Sequence, residues 1–232
     1  MKVKAGCGKL KIMEITYLGH SSFKIKGKTT TLVTDPYDEK MIGLKFPKTE
    51  ADIITVSHAH SDHNKVESVS QPETGNQKII NGPGEYEVKG ISVIGIKTYH
   101  DEKKGEDRGK NTIYIMEMED IRLLHLGDLG HTLGEETLKE IGSIDVLFLP
   151  VGGTYTIDAK TALAVAKQIG PSIIIPMHYQ PGEVQNEILN KLTPVEDFLQ
   201  EFGGRVEKLP KLIIKEGDIL SDEEYAAVLE KK

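Results

Sequence analysis

The chain has 232 residues, a formal net charge of −7, 38% hydrophobic residues and one cysteine, Cys7. This length and apolar content suit a folded protein, and we expect residues 1–232 to form one domain. The acidic balance gives no general attraction to nucleic acid. The single cysteine excludes an intrachain disulfide, and no apolar run approaches the roughly 20 residues of a membrane span. The last two features predict a cytoplasmic protein.

The first half of the chain consists of short segments with the alternating pattern of β-strands. These begin with MEITYLG, SSFKIKG and KTTTLVTDP, and the more continuously apolar ADIITVS is typical of a buried strand. NQKIING, EYEVKG and ISVIGIKTY continue the pattern, and NTIYIMEME with IRLLHLGD predicts a hairpin that turns at Glu119 and Asp120. The polar stretch 100–110 predicts an exposed and mobile loop.

Helical patterns are concentrated in the second half. GEETLKEIG predicts a short amphipathic helix, and DAKTALAVAKQIG predicts a longer one that ends at Gly170. TPVEDFLQEFGG and SDEEYAAVLEKK each begin with a capping box, Thr193 with Glu196 and Ser221 with Glu224. Between the helices, IDVLFLP and PSIIIPMH predict buried strands. This order predicts an α/β fold with sheets inside and helices outside.

The stretch TVSHAHSDHN places four side chains that commonly bind metals within six residues: His58, His60, Asp62 and His63. In an extended chain, residues two apart point to the same side, so His58 and His60 can share one target. Asp62 and His63 lie beyond the corner and can face a second target. Imidazole and carboxylate suit zinc, iron or manganese. A polar turn with chance histidines is the alternative, but the density of the cluster at a strand end favours two metals.

The segment HAHSDH, residues 58–63, resembles the H-x-H-x-D-H signature of the metallo-β-lactamase superfamily. Further motifs follow the family's order: TDP with Asp35, an aspartate that supports the metal loop in the family; GD with Asp128, which resembles the aspartate that bridges two metals; and His178, which resembles the late histidine of the second metal. The resemblance covers about residues 15–179. It implies a four-layer αββα sandwich, in which two mixed β-sheets pack face to face with helices outside.

The histidine of the family's third motif has two candidates, His100 and His125. His100 ends the strand ISVIGIKTY, whereas His125 lies three residues before Asp128 within a strand. Residues three apart in a strand point to opposite faces, so we favour His100 and interpret His125 as a packed sheet histidine. The resemblance then implies two divalent cations, zinc with manganese or iron as alternatives. The implied ligands are His58, His60 and His100 for the first cation, Asp62, His63 and His178 for the second, and Asp128 as the bridge.

The usual H-x-x-G-H-T form of the third motif is replaced here by YHDEKKGEDRGKN. With LGHSSFKI, GPGEYEV, HLGDLGH and PVGGTYTID, this segment resembles the branch that contains L-ascorbate 6-phosphate lactonases, phospholipase D-type N-acyl ethanolamine enzymes and many uncharacterised hydrolases. The branch favours a small acidic substrate. His60 stands where flavodiiron proteins have glutamate, which argues against a redox di-iron centre.

The expected reaction is attack of a metal-bound hydroxide on an ester, lactone or phosphodiester. Asp62 and Asp128 would take part in catalysis as metal ligands. His20, in the turn LGHSSF, is a candidate proton donor or substrate contact, and a turn histidine bonded to backbone is the equal alternative. His131, Tyr86 and Tyr155 are further candidates for the pocket, although a tyrosine is more often a packing residue.

Two segments could bind an anion, one through its glycines and the other through its basic residues. The glycines of PVGGTYTID would let backbone N–H groups approach an anion at a helix N-terminus, although a tight turn capped by Asp158 explains them slightly better. The loop 100–110 could guide an acidic substrate, although a solvated loop is the simpler interpretation. Its basic residues are Lys103, Lys104, Arg108 and Lys110.

Two other functions stay open on sequence alone. A nuclease is one, since tRNA-processing relatives share the signature, but the acidic balance makes nucleic acid an unexpected partner. A non-catalytic metal-binding or sensor domain is the other, and the complete ligand set counts against it. A small molecule is the expected partner, and a homo-oligomer is compatible with the sequence.

Overall fold

The computed structural model describes residues 12–73, 75–182, 185–215, 218–220 and 224–232, so Cys7 and Ser221 lie outside the described residues. The strands are β1 (Ile12–Gly19), β2 (Ser22–Lys26), β3 (Thr31–Thr34), β4 (Ile53–Thr55), β5 (Lys78–Ile80), β6 (Gly84–Val88), β7 (Ile91–Tyr99), β8 (Lys110–Met118), β9 (Ile121–His125), β10 (Val146–Pro150), β11 (Ile173–Met177), β12 (Arg205–Leu209), β13 (Leu212–Lys215) and β14 (Tyr225–Leu229). The α-helices are α1 (Glu39–Ile42), α2 (Glu135–Ile141), α3 (Ala159–Ile169) and α4 (Val195–Phe202). Short 3₁₀ turns cover Val66–Ser68, Leu189–Lys191 and Asp218–Leu220.

The strands form two mixed sheets. The first has the order β13-β1-β2-β3-β4-β5, and the second has the order β12-β14-β11-β10-β9-β8-β7-β6. In the first sheet β3, β4 and β5 run parallel to one another. In the second, β9, β10, β11, β14 and β12 run parallel, and β6 to β9 form an antiparallel meander. Parallel neighbours end at the same edge, which brings the residues that follow them together.

The two sheets pack face to face around the main core. The Phe23 ring of the first sheet lies 4.6 Å, between centroids, from the Phe148 ring of the second. The buried Tyr114 hydroxyl of β8 donates a 2.8 Å hydrogen bond to the Val56 carbonyl oxygen, which follows β4. Burial of these large apolar side chains is the main force that joins the sheets.

The outer faces are also covered, which explains the continuously apolar strands. Leu32 and Ile53 enter the core between the sheets, whereas their neighbours Val33 and Ile54 pack on the opposite face with Ile42 of α1. On the second sheet, α3 packs against α4 and β10. The expected four-layer fold class, with two mixed sheets between helices, is therefore confirmed.

The predicted helix α3 begins and ends where its sequence signals indicate. The Asp158 carboxylate accepts a 2.8 Å hydrogen bond from the Thr161 N–H, and Gly170 closes the helix with a φ of 66°. None of the helices in the described ranges is long and apolar enough to cross a membrane.

The helix predicted for SDEEYAAVLEKK is wrong, because this segment contains strand β14. Tyr225 pairs in parallel register with Ile173 on one side and with Arg205 on the other, and Ala226 and Ala227 are buried. The short apolar run gains two strand partners and burial on both faces, which outweighs the local helix-start signal.

The start of α4 also differs from the prediction. Pro194, rather than Thr193, occupies the position before the helix, without a capping side chain, and Glu196 lies in the first turn. The Thr193 backbone is bound elsewhere, since its N–H donates to the Gly152 carbonyl and its carbonyl accepts from Gln180.

Candidate metal centre

The site residues follow the carboxyl ends of strands from both sheets. His20 follows β1, Asp35 follows β3, His100 follows β7, Asp128 follows β9 and His178 follows β11. The segment 58–63 follows β4. Because these strand ends meet at one edge of the sandwich, side chains far apart in sequence converge there.

Asp128 lies at the centre of this convergence. Its Oδ2 atom is 3.2 Å from the Nε2 atoms of both His100 and His178. The same oxygen is 3.3 Å from His63 Nε2 and 3.8 Å from His58 Nε2. Four imidazoles thus face one carboxylate oxygen.

The potential metal ligands form three overlapping groups, in each of which the ligand atoms lie within 4.8 Å of one another. One group contains His58, His60 and His100, and a second contains His20, Asp62, His63 and His178. The third, His58 with His63 and Asp128, links the first two. The structure therefore brings together all seven residues that the sequence predicts as ligands, and it adds His20 to the second group.

Several buried polar atoms at this site have no hydrogen-bond partner among the described residues. They are His58 Nε2, His63 Nε2, both ring nitrogens of His20, and Asp128 Oδ1. A buried polar atom without a partner is costly, and nitrogen and carboxylate lone pairs that point at one another need a cation or protons between them. The donor set therefore fits divalent metal ions.

His58, His60, Asp62 and Asp128 have the charge states of metal ligands, whereas His63 keeps a proton that a bound cation would displace. Burial alone would lower the pKa of His63, but the facing Asp128 and Asp62 outweigh burial and raise it. Burial lowers the pKa of the His58 imidazole to about 3 and also lowers the pKa of His60, so both rings are neutral at physiological pH. Burial alone would raise the pKa of Asp128, but the facing His178 and His63 outweigh it and hold the pKa well below its usual range. Burial alone would also raise the pKa of Asp62, but His63 outweighs burial and lowers it. Neutral imidazoles and ionised carboxylates are the forms that bind metals.

Asp35 fixes the histidine loop from behind. The His63 Nδ1–H donates to Asp35 Oδ2 at 2.8 Å, and the Ser57 hydroxyl donates to the same oxygen at 2.5 Å. The His58 Nδ1–H in turn donates to Ser57 Oγ at 2.9 Å. Both histidines thereby turn their Nε2 atoms toward Asp128, the arrangement that the sequence resemblance implies for this aspartate.

Asn111 has a supporting role that the sequence analysis missed. Its Oδ1 accepts a 3.0 Å hydrogen bond from the Asp128 N–H, and its Nδ2 donates at 2.9 Å to both Thr98 Oγ1 and the Leu126 carbonyl. It is 1% exposed. The one signal in the sequence is a polar amide near the start of a largely apolar strand.

His125 and His131 lie outside the three groups. His125 accepts from the Gly127 N–H through Nδ1 and donates to the Ser21 carbonyl through Nε2, so both ring nitrogens are used by backbone. His131 accepts from the Tyr99 N–H and donates to the Thr132 carbonyl. The former matches its interpretation as a packed sheet histidine, and the latter supports the backbone just before His100.

Three residues at the site have strained backbones. His20, Asp35 and His178 have φ values of 55°, 37° and 53°, a region that residues other than glycine rarely adopt. Such strain costs on the order of 1–3 kcal/mol per residue and is concentrated at functional sites.

A cavity of about 410 Å³ opens over the site. Its lining includes Asp62, Asp128 and His178, together with Arg108 and Tyr155. Tyr86, in contrast, donates its hydroxyl to the Gly82 and Pro83 carbonyls and does not line this cavity. A volume of this size suits a small molecule.

Comparison with known proteins agrees with this geometry. Residues 14–178 match the family model described as the β-lactamase superfamily domain. A UPF0173 metal-dependent hydrolase of Thermococcus onnurineus is 28% identical over 233 residues, which cover 90% of this chain and 99% of the relative. Another, from Thermoplasma acidophilum, is 31% identical over 188 residues, which cover 72% and 83% respectively.

A solved structure from Thermotoga maritima, described as a candidate Zn-dependent hydrolase of the metallo-β-lactamase superfamily, gives a TM-score of 0.72. It is 35% identical and the match covers 94% of this chain and 98% of that one. The chain therefore belongs to the metallo-β-lactamase superfamily and, within it, to the family of UPF0173 metal-dependent hydrolases.

Proposed function

We propose that this protein is a binuclear metal-dependent hydrolase that acts on a small, acidic ester, lactone or phosphodiester. The observation that supports it most is Asp128, whose Oδ2 atom lies within 3.2–3.8 Å of histidine nitrogens from both groups. A carboxylate in this position can bridge two cations. The first group would hold one cation with His58, His60 and His100, and the second group would hold the other with Asp62, His63 and His178.

Zinc is the proposed metal, with manganese or iron as alternatives, because imidazole and carboxylate ligands suit all three. When bound, two such cations lower the pKa of a coordinated water and polarise the carbonyl or phosphoryl group of the substrate. The protein's own residues fix the geometry. Asp35 orients His58 and His63, and Asn111 holds the backbone of Asp128.

His20 acts through Asp62 in this proposal. Its side chain is fully buried, and its Nε2 atom lies 3.4 Å from Asp62 Oδ2. Burial and the neighbouring His178 lower the pKa of His20 to about 4, so the ring is neutral at physiological pH. Asp62 lines the cavity and His20 does not, and a ring that is neutral at physiological pH has no acidic proton to give, so His20 would position the Asp62 carboxylate rather than protonate the substrate.

The proposal is tested by metal analysis of untagged protein purified without chelators. We expect about two metal ions per chain in the wild type, as binuclear hydrolysis requires, and fewer in Asp128→Ala and His178→Ala. Asp197→Ala is the matched control, since it removes an exposed aspartate of α4 that lies outside the three groups. Metal-loaded wild type should hydrolyse members of an ester, lactone and phosphodiester panel, and Asp128→Ala should not.

Two results would contradict the proposal. Full metal content with full activity in Asp128→Ala would refute the bridging role. A fully metal-loaded wild type that is inert on the whole panel would favour the non-catalytic metal-binding alternative.

A further inference from the structure

The loop 101–109 is held in one conformation by the residue that follows His100. The Asp101 carboxylate accepts backbone hydrogen bonds from Lys103 at 2.8 Å and Gly105 at 2.9 Å on one oxygen. The other oxygen accepts from Asp107 at 3.2 Å and Arg108 at 2.8 Å. Asp101 is 8% exposed. The loop is exposed, as the sequence predicts, but its backbone is tied to a buried carboxylate rather than free.

Arg108 is the residue that this loop presents to the metal centre. It lines the site cavity of about 410 Å³ and two neighbouring cavities of about 420 and 510 Å³. Among the described residues that line the site cavity, Arg108 is the one lysine or arginine. An anion in that cavity would therefore meet Arg108 on one side and the candidate metal centre on the other.

The guanidinium is oriented but has donors to spare. Its Nη1 donates at 2.8 Å to the Tyr155 carbonyl, and its carbon atom Cζ lies 5.5 Å from the centroid of the Tyr155 ring. In the described part of the chain, no carboxylate forms an ion pair with it. A guanidinium has five N–H donors, so its outer edge can bind two oxygens of an anion at once. Because loop and side chain are already fixed, little conformational entropy is lost on binding.

The charges around Arg108 indicate where the anion would bind. The cavity of about 420 Å³ beside α3 is also lined by Asp101, Glu102, Asp107 and Asp158, which would repel an anion. In the site cavity the carboxylates are Asp62 and Asp128, both candidate metal ligands. Among the described residues, the cavity of about 510 Å³ is lined by Lys97 and Lys110 and by no carboxylate, and it borders His58 and His60. Both cavities that favour an anion at Arg108 therefore adjoin the candidate metal centre.

We propose that Arg108 binds an oxyanion group of the substrate, a carboxylate or a phosphate, next to the bond that is hydrolysed. This inference rests on the proposed hydrolase function and narrows it to substrates with a negatively charged substituent near the scissile ester, lactone or phosphodiester. Tyr155 acts as a positioning residue for the guanidinium.

The test compares zinc-loaded wild type with Arg108→Gln and with Lys104→Gln as the matched control. Lys104 belongs to the same loop but lines none of the three cavities, so its variant removes the same charge at a different place. The substrates share one scissile group: para-nitrophenyl butyrate is neutral, mono-para-nitrophenyl succinate carries a carboxylate, and para-nitrophenyl phosphonopropionate carries a phosphonate. Metal content is measured for every variant.

We expect Arg108→Gln to raise KM for the charged esters about 10- to 100-fold, the effect of losing one charge-assisted contact. KM for the neutral ester, metal content and the Lys104→Gln kinetics should stay at wild-type values. The charged ester that is more affected identifies carboxylate or phosphate as the group bound. Equal effects on charged and neutral esters, or none, would overturn the proposal.

A second measurement separates this inference from the proposed function. Binding of inorganic phosphate to the zinc-loaded proteins is measured by calorimetry, which needs no turnover. If none of the esters is hydrolysed but phosphate binds about tenfold more weakly to Arg108→Gln than to wild type and Lys104→Gln, the hydrolase proposal fails for these esters and the anion site stands. Equal phosphate affinity in all three proteins would refute the anion site.

Discussion

Asp35, which follows β3, and His63, at the end of the segment 58–63, are joined by a 2.8 Å hydrogen bond between two fully buried side chains. The bond places a proton on His63 Nδ1 and leaves Nε2 as the ring atom that faces Asp62 and Asp128. Burial would raise the pKa of Asp35, but the hydrogen bond from His63 outweighs it, so the carboxyl is ionised. One buried carboxylate therefore selects the ring tautomer that can bind a metal.

Asp35→Asn should weaken metal binding by about 10- to 100-fold. The amide keeps an oxygen for the Ser57 N–H, but its NH₂ group cannot accept from His63 Nδ1, so the His63 tautomer is no longer fixed. The measurement is zinc affinity by competition with a chromogenic chelator. Asp197→Asn is the control, because that aspartate is exposed in the first turn of α4 and belongs to none of the three ligand groups. Unchanged zinc affinity in Asp35→Asn would show that the loop orients itself without this bond.

Asn111→Ala should destabilise both the fold and the site. It leaves the Asp128 N–H, Thr98 Oγ1 and the Leu126 carbonyl without their partner, and a buried group that loses its partner costs about 1–3 kcal/mol. Urea denaturation of the metal-free protein measures the free energy of unfolding. Asn190→Ala, at an exposed position, should change it little. Equal effects in the two variants would contradict the assigned role of Asn111.

Gly130→Ala tests the contact between the loop after β9 and the first metal group. A Cβ at Gly130 would collide with the His100 carbonyl group and the Asp101 backbone nitrogen. Such overpacking lowers the free energy of unfolding by about 1–3 kcal/mol, and the backbone shift that relieves the collision would displace His100. We therefore expect lower thermal stability and reduced zinc content. Gly82→Ala, where the added Cβ meets no atom within 4 Å, should keep wild-type thermal stability and zinc content. An equal loss of stability and zinc in Gly82→Ala would rule out the steric explanation.

The convergence of the site could be predicted because it depends on strand ends. The structure groups His100 with His58 and His60 and directs His125 to the Ser21 carbonyl. The reason is not the strand period of two, because the chain bends at 57–60 and β9 ends at His125. The strand β14 could not be predicted, because its partners β11 and β12 decide its conformation. His20 joins the second group only because its turn packs against His178, with ring centroids 4.3 Å apart. No local pattern encodes that contact.

Asp101 provides the last prediction, which concerns pH. Burial would raise the pKa of its carboxyl, but the four backbone N–H groups outweigh burial and lower it, so the charged form is the one that the folded loop stabilises. A carboxyl with a depressed pKa contributes stability above its unfolded value of about 3.9 and loses it as the pH falls through the folded pKa. We expect the Asp101 carboxyl to titrate below about 3.9 in an NMR titration, with the amide signals of Lys103, Gly105 and Arg108 following the same curve.

Asp101→Asn is the matched variant for this titration. An amide nitrogen cannot accept the two hydrogen bonds that one carboxylate oxygen now accepts, so two loop N–H groups lose their partner at any pH. The loop amides should then exchange with deuterium faster than in wild type near neutral pH, and their pH-dependent shift should vanish. If their exchange is unchanged, the loop is held by contacts other than Asp101, and Arg108 would owe its position to Tyr155 alone.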